Sequence, residues 1–277
     1  MQFNLNDYQL SAIEVSSNSH AETVLFLHGW LDNAASFEPL IAQMVTLNPR
    51  LRYIALDLPG HGHSSHAKSG FYPFHDYLDV LNQVIAELET SVHLVGHSMG
   101  ALIASCYSAA FPERVLSLTQ IEGYGPIFEP EHNAISRLKK GIQSRQRIIN
   151  KPRRLFPDIA PMLALRASST ELSEEQIAPI VHRDTIEQKF GWQWRHDPRL
   201  KADSLYRMSE LQAKQVLSLL PNKNLLILGK TGFSGLPHHF EQHGNPNTQA
   251  LEIEGGHHCH ISTPEPIARA FFELLNA

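Results

Sequence analysis

The chain has 277 residues, 42% of them hydrophobic and 18% charged, with a formal net charge of −5. At roughly 100–200 residues per domain, that is one large domain or a domain carrying an insert, with enough apolar material for a core and too little charge for a disordered chain. The acidic balance excludes a global nucleic-acid footprint, no apolar run approaches the ~18 residues of a membrane span, and two isolated cysteines, Cys106 and Cys259, are too few for a disulfide framework.

The N-terminus MQFNLNDYQL lacks the basic-then-apolar pattern of a secretory leader, so the expected location is the cytoplasm. The first fifteen residues alternate weakly and predict antiparallel edge strands. Thr23–Leu27 reads as a buried strand, followed by an amphipathic helix over 36–47, a strand at Tyr53–Leu56 and a helix over 74–88. Val92–Val95 is a third strand, Ala101–Ala110 a helix and Val115–Ile121 a fourth strand. The pattern resumes with strands at Leu225–Leu228 and Ala250–Ile253 and a closing helix over 264–275. Strands alternating with helices predict an α/β fold, a mostly parallel sheet with helices on both faces.

Residues 126–214 interrupt this alternation. They are helix-rich and proline-punctuated, and Ser173 and Gln176 have capping-box spacing. The expected organisation is a core of residues 1–125 and 215–277, with a helical cap at 126–214 over the carboxyl edge of the sheet. Between Arg137 and Arg154 lie eight basic residues uninterrupted by an acid, read as a solvated helix face or a surface that steers anions. Phe190, Trp192 and Trp194 belong either to an apolar wall over the site or to the core of the cap.

Gly96-His97-Ser98-Met99-Gly100 falls between a strand and a helix, the context in which a G-x-S-x-G turn exposes a nucleophilic serine. Serine is a weak nucleophile and needs a base. His257 follows Gly255-Gly256 at the end of the last strand and precedes the closing helix, so it is the candidate base. His258 and His260 read as supporting groups, and a metal site in the HHCH run is disfavoured because adjacent residues of one loop rarely converge on one ion. His28-Gly29-Trp30 follows the first buried strand. Trp30 N–H and Met99 N–H are the candidate oxyanion donors, with His28 and Gly29 shaping the pocket.

A carboxylate should orient the base. The loop after LLIL reads Gly229-Lys230-Thr231-Gly232-Phe233 and has none. Glu122, at the end of the preceding strand, is the expected acid and keeps the order Ser98, Glu122, His257. A dyad without acid, or an acid at Asp197 or Asp203, are the alternatives. The lone G-x-G at 60–62 reads as a turn rather than a phosphate loop, with Asp57 structural.

Together the runs HGWLDNA with Ser36-Phe37, DLPGHGHS, GHSMG and GGHHCHIST resemble the serine hydrolase-like branch of the α/β-hydrolases. The similarity spans both core segments and thins in the cap. It implies the α/β-hydrolase fold and a carboxylate at the strand end that carries Glu122. It implies no particular substrate. The expected activity is hydrolysis of an ester or related acyl substrate through an acyl-enzyme at Ser98, with no cofactor, a small-molecule acyl substrate as partner, and no nucleic acid. The alternatives are a non-catalytic ligand-binding protein of the same fold, and a carbon–carbon bond hydrolase or a perhydrolase side activity. Because the base must be neutral, activity is expected to rise through about pH 6–8.

Overall fold

The computed structural model describes residues 1–16 and 21–276. Two short strands open the chain, β1 (Gln2–Asn4) and β2 (Gln9–Val15). The first half of the core then runs β3 (Thr23–Leu27), α1 (Glu38–Leu47), β4 (Arg52–Leu56), α2 (Asp76–Leu88), β5 (Val92–His97), α3 (Met99–Ala110) and β6 (Val115–Ile121). The interrupting segment holds α4 (Ala134–Ile149), α5 (Ala160–Ala167), α6 (Glu174–Arg183), β7 (Thr185–Gln188) and β8 (Gly191–Trp194). It leads into α7 (Glu210–Ser218) and β9 (Asn224–Gly229), and the chain closes with α8 (Leu236–His243), β10 (Thr248–Ile253), α9 (Cys259–Ser262) and α10 (Pro264–Asn276).

Eight strands form one sheet in the order β1-β2-β4-β3-β5-β6-β9-β10. From β4 to β10 every pairing is parallel, while β1 and β2 join antiparallel at one edge, as the weak alternation predicts. All five residues of β3 are buried, as a strand covered on both faces requires. Its side chains alternate between two cores. Leu25 and Leu27 meet Val80, Leu81, Val84 and Ile103 of α2 and α3. Val24 and Phe26 meet Leu40, Met44, Ile267 and Phe271 of α1 and α10.

The interrupting segment has a core of its own, built from Phe156, Met162, Leu172, Ile177, Ile180 and Val181 and reached by Ile261 of the main body. Trp192 and Trp194 pack against this cluster, whereas the Phe190 ring is exposed. The capping box forms as predicted: Gln176 N–H donates to Ser173 Oγ and Ser173 N–H to Gln176 Oε1. The segment is not purely helical, because β7 and β8 pair as an antiparallel hairpin separate from the main sheet. Strands of four residues are too short to register as an alternating pattern, which is why periodicity misses them. Helix α7 runs across position 214 and buries Leu217 in the α2–α3 core, so it packs with the sheet.

Polar ties fasten the segment to the body. Asp57, at the end of β4, accepts from Ala34 N–H and His63 N–H, both at 2.8 Å, and pairs with Arg183 at the end of α6 at 2.8 Å. Asn33 Nδ2 donates to Ile180 O, and Asp197 N–H to Gly60 O, both at 2.8 Å. Asp57 is thus structural, as read. Among the described residues, no helix is long and apolar enough to cross a membrane.

Candidate active site

The carboxyl ends of the parallel strands converge at one edge of the sheet, where ligands bind in folds of this type. Ser98 sits between β5 and α3 with φ 50° and ψ −117°, a conformation L-residues seldom adopt. Strain of this kind persists only where the surroundings over-determine it. The Ser98 N–H is held by Ile121 O at 2.9 Å, and Ala101 N–H returns to Ser98 O at 2.9 Å. The flanking glycines are required by close approach: a Cβ on Gly100 would enter the Leu27 carbonyl, and one on Gly96 the Gly100 carbonyl. Helix α3 could not start against β3 with larger residues there. Its first residue, Met99, has no helical acceptor for its N–H, so that donor is available at the serine.

Glu122 follows β6 directly and also has positive φ, 51°. This turns its side chain across to β9. One carboxylate oxygen accepts from Gly229 N–H at 2.7 Å, and the other from Phe233 N–H at 2.9 Å and from His257 Nδ1 at 3.3 Å. Glu122 is 1% exposed, and a Cβ on Gly232 would collide with both of its oxygens. The loop after β9 therefore has no carboxylate of its own because a carboxylate from the neighbouring strand fills its space. The two other carboxylates considered stand elsewhere. Asp197 is taken by Tyr72 Oη at 2.8 Å and by Arg199, and Asp203 lies in the loop whose N–H meets Ser144 Oγ.

Burial acts to raise the Glu122 pKa, but the hydrogen bonds from His257, Phe233 and Gly229 together outweigh it and the net shift is downward. A carboxylate with depressed pKa stabilises the fold fully above its unfolded value, ~4.3, and the contribution is lost as pH falls through the folded value. Urea midpoints measured from about pH 6 down to about pH 3 should fall more steeply for the wild type than for Glu122→Gln. Parallel curves would show that the carboxylate is not held this way.

With Nδ1–H donated to Glu122, the His257 ring keeps Nε2 free. The ring packs between Phe233 (centroids 4.1 Å apart) and His97 (4.7 Å). His97 Nε2–H donates to the His257 carbonyl at 2.8 Å, so the residue just before the serine also holds the loop of the histidine. Burial lowers the His97 pKa to about 4, which keeps it a neutral donor. Ser98 and His257 share no direct hydrogen bond among the described residues. Such bonds are often long in ligand-free sites and tighten with substrate.

Beneath this pair lies a group that sequence reading left out. Asp32 is 2% exposed and pairs with Arg166 of α5 and with His258 Nε2 at 3.4 Å. Burial opposes its charge, but its His258 and Arg166 partners hold its pKa well below the usual range. Glu171, before α6, accepts from His258 N–H at 2.7 Å. The loop bearing His257 is thus gripped from the interrupting segment. No spacing rule brings residues 32, 166, 171 and 258 together. Only the fold does. Removing one partner of a buried pair strands the other, at a cost of about 3–5 kcal/mol. Asp32→Ala should lower unfolding stability by about that much in urea titration, and a change under about 1 kcal/mol would refute this role.

His28 does not line the cavity as expected, and neither does Gly29. His28 is fully buried: Leu58 N–H donates to its Nε2 at 3.0 Å, and its Nδ1–H donates to Gly29 O at 2.7 Å. Both ring nitrogens are used in fixing the turn, so the residue shapes the loop from below. The Trp30 ring points away from the cavity too, and its Nε1–H donates to Leu200 O at 2.9 Å. The backbone turn that carries the Trp30 N–H is closed by Asp32 N–H to Gly29 O at 3.1 Å. Among the described residues, no three His, Cys, Asp or Glu side chains are grouped to hold a metal, and both cysteines are free and buried.

A cavity of ≈ 320 Å³ opens beside Ser98 and Glu122. Its walls are mostly apolar: Leu102, Tyr124, Ile127, Phe128, Phe233 and Leu236. Serine, histidine and buried carboxylate at the carboxyl edge of a parallel sheet define the class of α/β-hydrolases. Residues 22–260 match the family described as alpha/beta hydrolase fold, and the chain belongs to that family. It also resembles the serine hydrolase-like branch. A serine hydrolase-like protein of Danio rerio is 28% identical over 95% of this chain and 84% of its own. A hypothetical protein of Pseudomonas aeruginosa superposes with TM-score 0.91 at 26% identity, covering 100% of this chain and 99% of that one. The thioesterase domain from the curacin biosynthetic pathway superposes with TM-score 0.84 at 23% identity over 98% of each chain, a likeness of fold.

Proposed function

We propose that the chain is a serine hydrolase that cleaves an ester, thioester or similar acyl compound through an acyl-enzyme at Ser98. The observation that carries this reading is the Glu122–His257 contact, which commits Nδ1–H to the carboxylate and leaves Nε2 for the serine proton. Ser98 Oγ attacks the substrate carbonyl as His257 Nε2 takes its proton. Negative charge gathers on the carbonyl oxygen, facing Met99 N–H and Trp30 N–H, each such donor being worth roughly 3–4 kcal/mol in the transition state. His257 then protonates the leaving group. Water, deprotonated by the same nitrogen, attacks the acyl-enzyme and releases the acid and free Ser98.

The apolar cavity supports an uncharged, hydrophobic acyl group as the part bound beside the serine. Residues 126–214 act in this reading as the cap, since Ile127 and Phe128 at its start form part of the wall. Glu122, which fills the space over Gly232, supplies the carboxylate that the loop after β9 lacks, and this supports a catalytic protein over a non-catalytic binding protein of the same fold.

Two measurements test the proposal. A fluorophosphonate should label the folded protein with one equivalent per chain, and failure to label overturns it. Across p-nitrophenyl esters of increasing acyl length, kcat/KM should climb about fourfold per methylene, from ~0.8 kcal/mol per buried CH₂, until the cavity is full. A flat series would remove the cavity as the acyl site.

A further inference from the structure

We propose that the segment between β6 and α7 carries a second binding site, for a phosphate-bearing small molecule with a planar ring. The site lies in a cavity of ≈ 320 Å³ whose walls include Lys151, Arg153, Arg154, Lys201, Phe156 and Trp194. It shares no lining residue with the cavity beside Ser98.

The fate of the eight basic residues between Arg137 and Arg154 points here. Arg137 is neutralised by Glu129 at 2.7 Å, and Arg145 lies over the Phe71 ring at 4.5 Å. The last three cations of the run, Lys151, Arg153 and Arg154, instead meet Lys201, which ends a short 3₁₀ turn (Pro198–Lys201) some fifty residues on. No carboxylate lines this cavity. None of the four cations forms an ion pair among the described residues. The negative charge nearby is already committed: Asp184 binds His196 through Nδ1 at 2.5 Å and through the backbone N–H at 2.8 Å. Withdrawal from water, and then the charges of Lys151 and Arg166, push the Lys201 pKa down against the pull of Asp184. Four like charges gathered around a concavity repel one another and are relieved by a multiply charged anion.

The shape of the donors and walls narrows the ligand. Arginine guanidinium groups match phosphate oxygens in pairs, and lysines add point charge. A phosphate monoester carries about −1.5 to −2 near neutrality, so one or two such groups balance this set better than a single carboxylate. The remaining wall is mostly apolar and aromatic, with Gln193 and His196 as its polar members. Trp194 stacks with His196 at 5.7 Å and 28°, and Arg154 lies over the Phe156 ring at 4.4 Å. A flat ring beside the phosphate would extend these surfaces. A nucleoside diphosphate has both halves.

Calorimetric titration of the full chain with ADP, pyrophosphate and adenosine tests this without depending on hydrolysis. ADP should bind one to one with Kd below ~1 mM at low salt and weaken steeply as salt is added. Pyrophosphate should bind more weakly and adenosine more weakly still. Arg154→Met and Lys201→Met should each weaken ADP at least tenfold, while thermal unfolding and turnover of a small neutral ester stay as in the wild type. The assignment fails if neither ADP nor pyrophosphate binds saturably, or if both variants bind ADP as the wild type does. Pyrophosphate binding as tight as ADP would overturn the ring-binding half.

Discussion

Alanine at Ser98 should abolish fluorophosphonate labelling and lower ester turnover by roughly 10³–10⁶-fold while leaving the protein folded. The size follows from the mechanism: without Oγ no acyl-enzyme forms, and only the oxyanion donors and the cavity continue to assist attack by water. Such residual assistance amounts to ~10³–10⁴ over the uncatalysed reaction, so a measurable remainder is part of the expectation. Stability should scarcely change. The positive φ of Ser98 is borne equally by alanine, and its backbone bonds to Ile121, Ala101 and Leu102 remain. Mass mapping of the labelled peptide checks the site. Label retained at full stoichiometry in Ser98→Ala would remove the serine from the chemistry altogether.

The second large effect concerns the acid. Glu122→Gln should cut kcat by about 10²–10⁴-fold. The carboxylate receives three donors: Gly229 N–H, Phe233 N–H and His257 Nδ1–H. A carboxamide has one accepting oxygen. With that oxygen turned to Gly229 N–H, the NH₂ faces Phe233 N–H and His257 and places the His257 proton on the wrong nitrogen; turned the other way, the NH₂ opposes Gly229 N–H. Either way the negative charge that stabilises the imidazolium is gone. The glycine opposite allows a sharper test. Gly232→Asp alone should also lose activity, because its side chain enters the volume that Glu122 occupies. In Glu122→Ala that volume is vacant, and adding Gly232→Asp should recover at least tenfold of the lost rate. The φ of Gly232 is not in the left-handed region, so aspartate is tolerated there. Wild-type turnover in Glu122→Gln would refute the assignment.

These two substitutions mark the boundary between what was legible in one dimension and what was not. Glu122 could be picked out because it is the single carboxylate at the end of its strand and stands between Ser98 and His257 in chain order. Why the loop after β9 should lack an acid was illegible, since Gly232 and Glu122 lie far apart in sequence and meet only through the β6–β9 pairing. The same holds for Asp32, whose partners are Arg166 of α5 and His258 of the loop after β10. Trp30 stands in the turn just after β3, yet its indole is spent on Leu200 in the interrupting segment.

By itself the sequence determined the alternating strands and helices, the edge strands, the strained serine turn and the histidine that follows the last strand. These depend on contiguous residues: hydrophobic period, glycine beside a tight turn, a polar residue where a strand stops. Tertiary structure alone decided which carboxylate meets the imidazole, what anchors the histidine loop from below, and which cations of the basic run remain unpaired around a cavity. Those outcomes depend on strand order and on loops meeting across a sheet edge. Distances of that kind are set by packing, and no local pattern of residues encodes them.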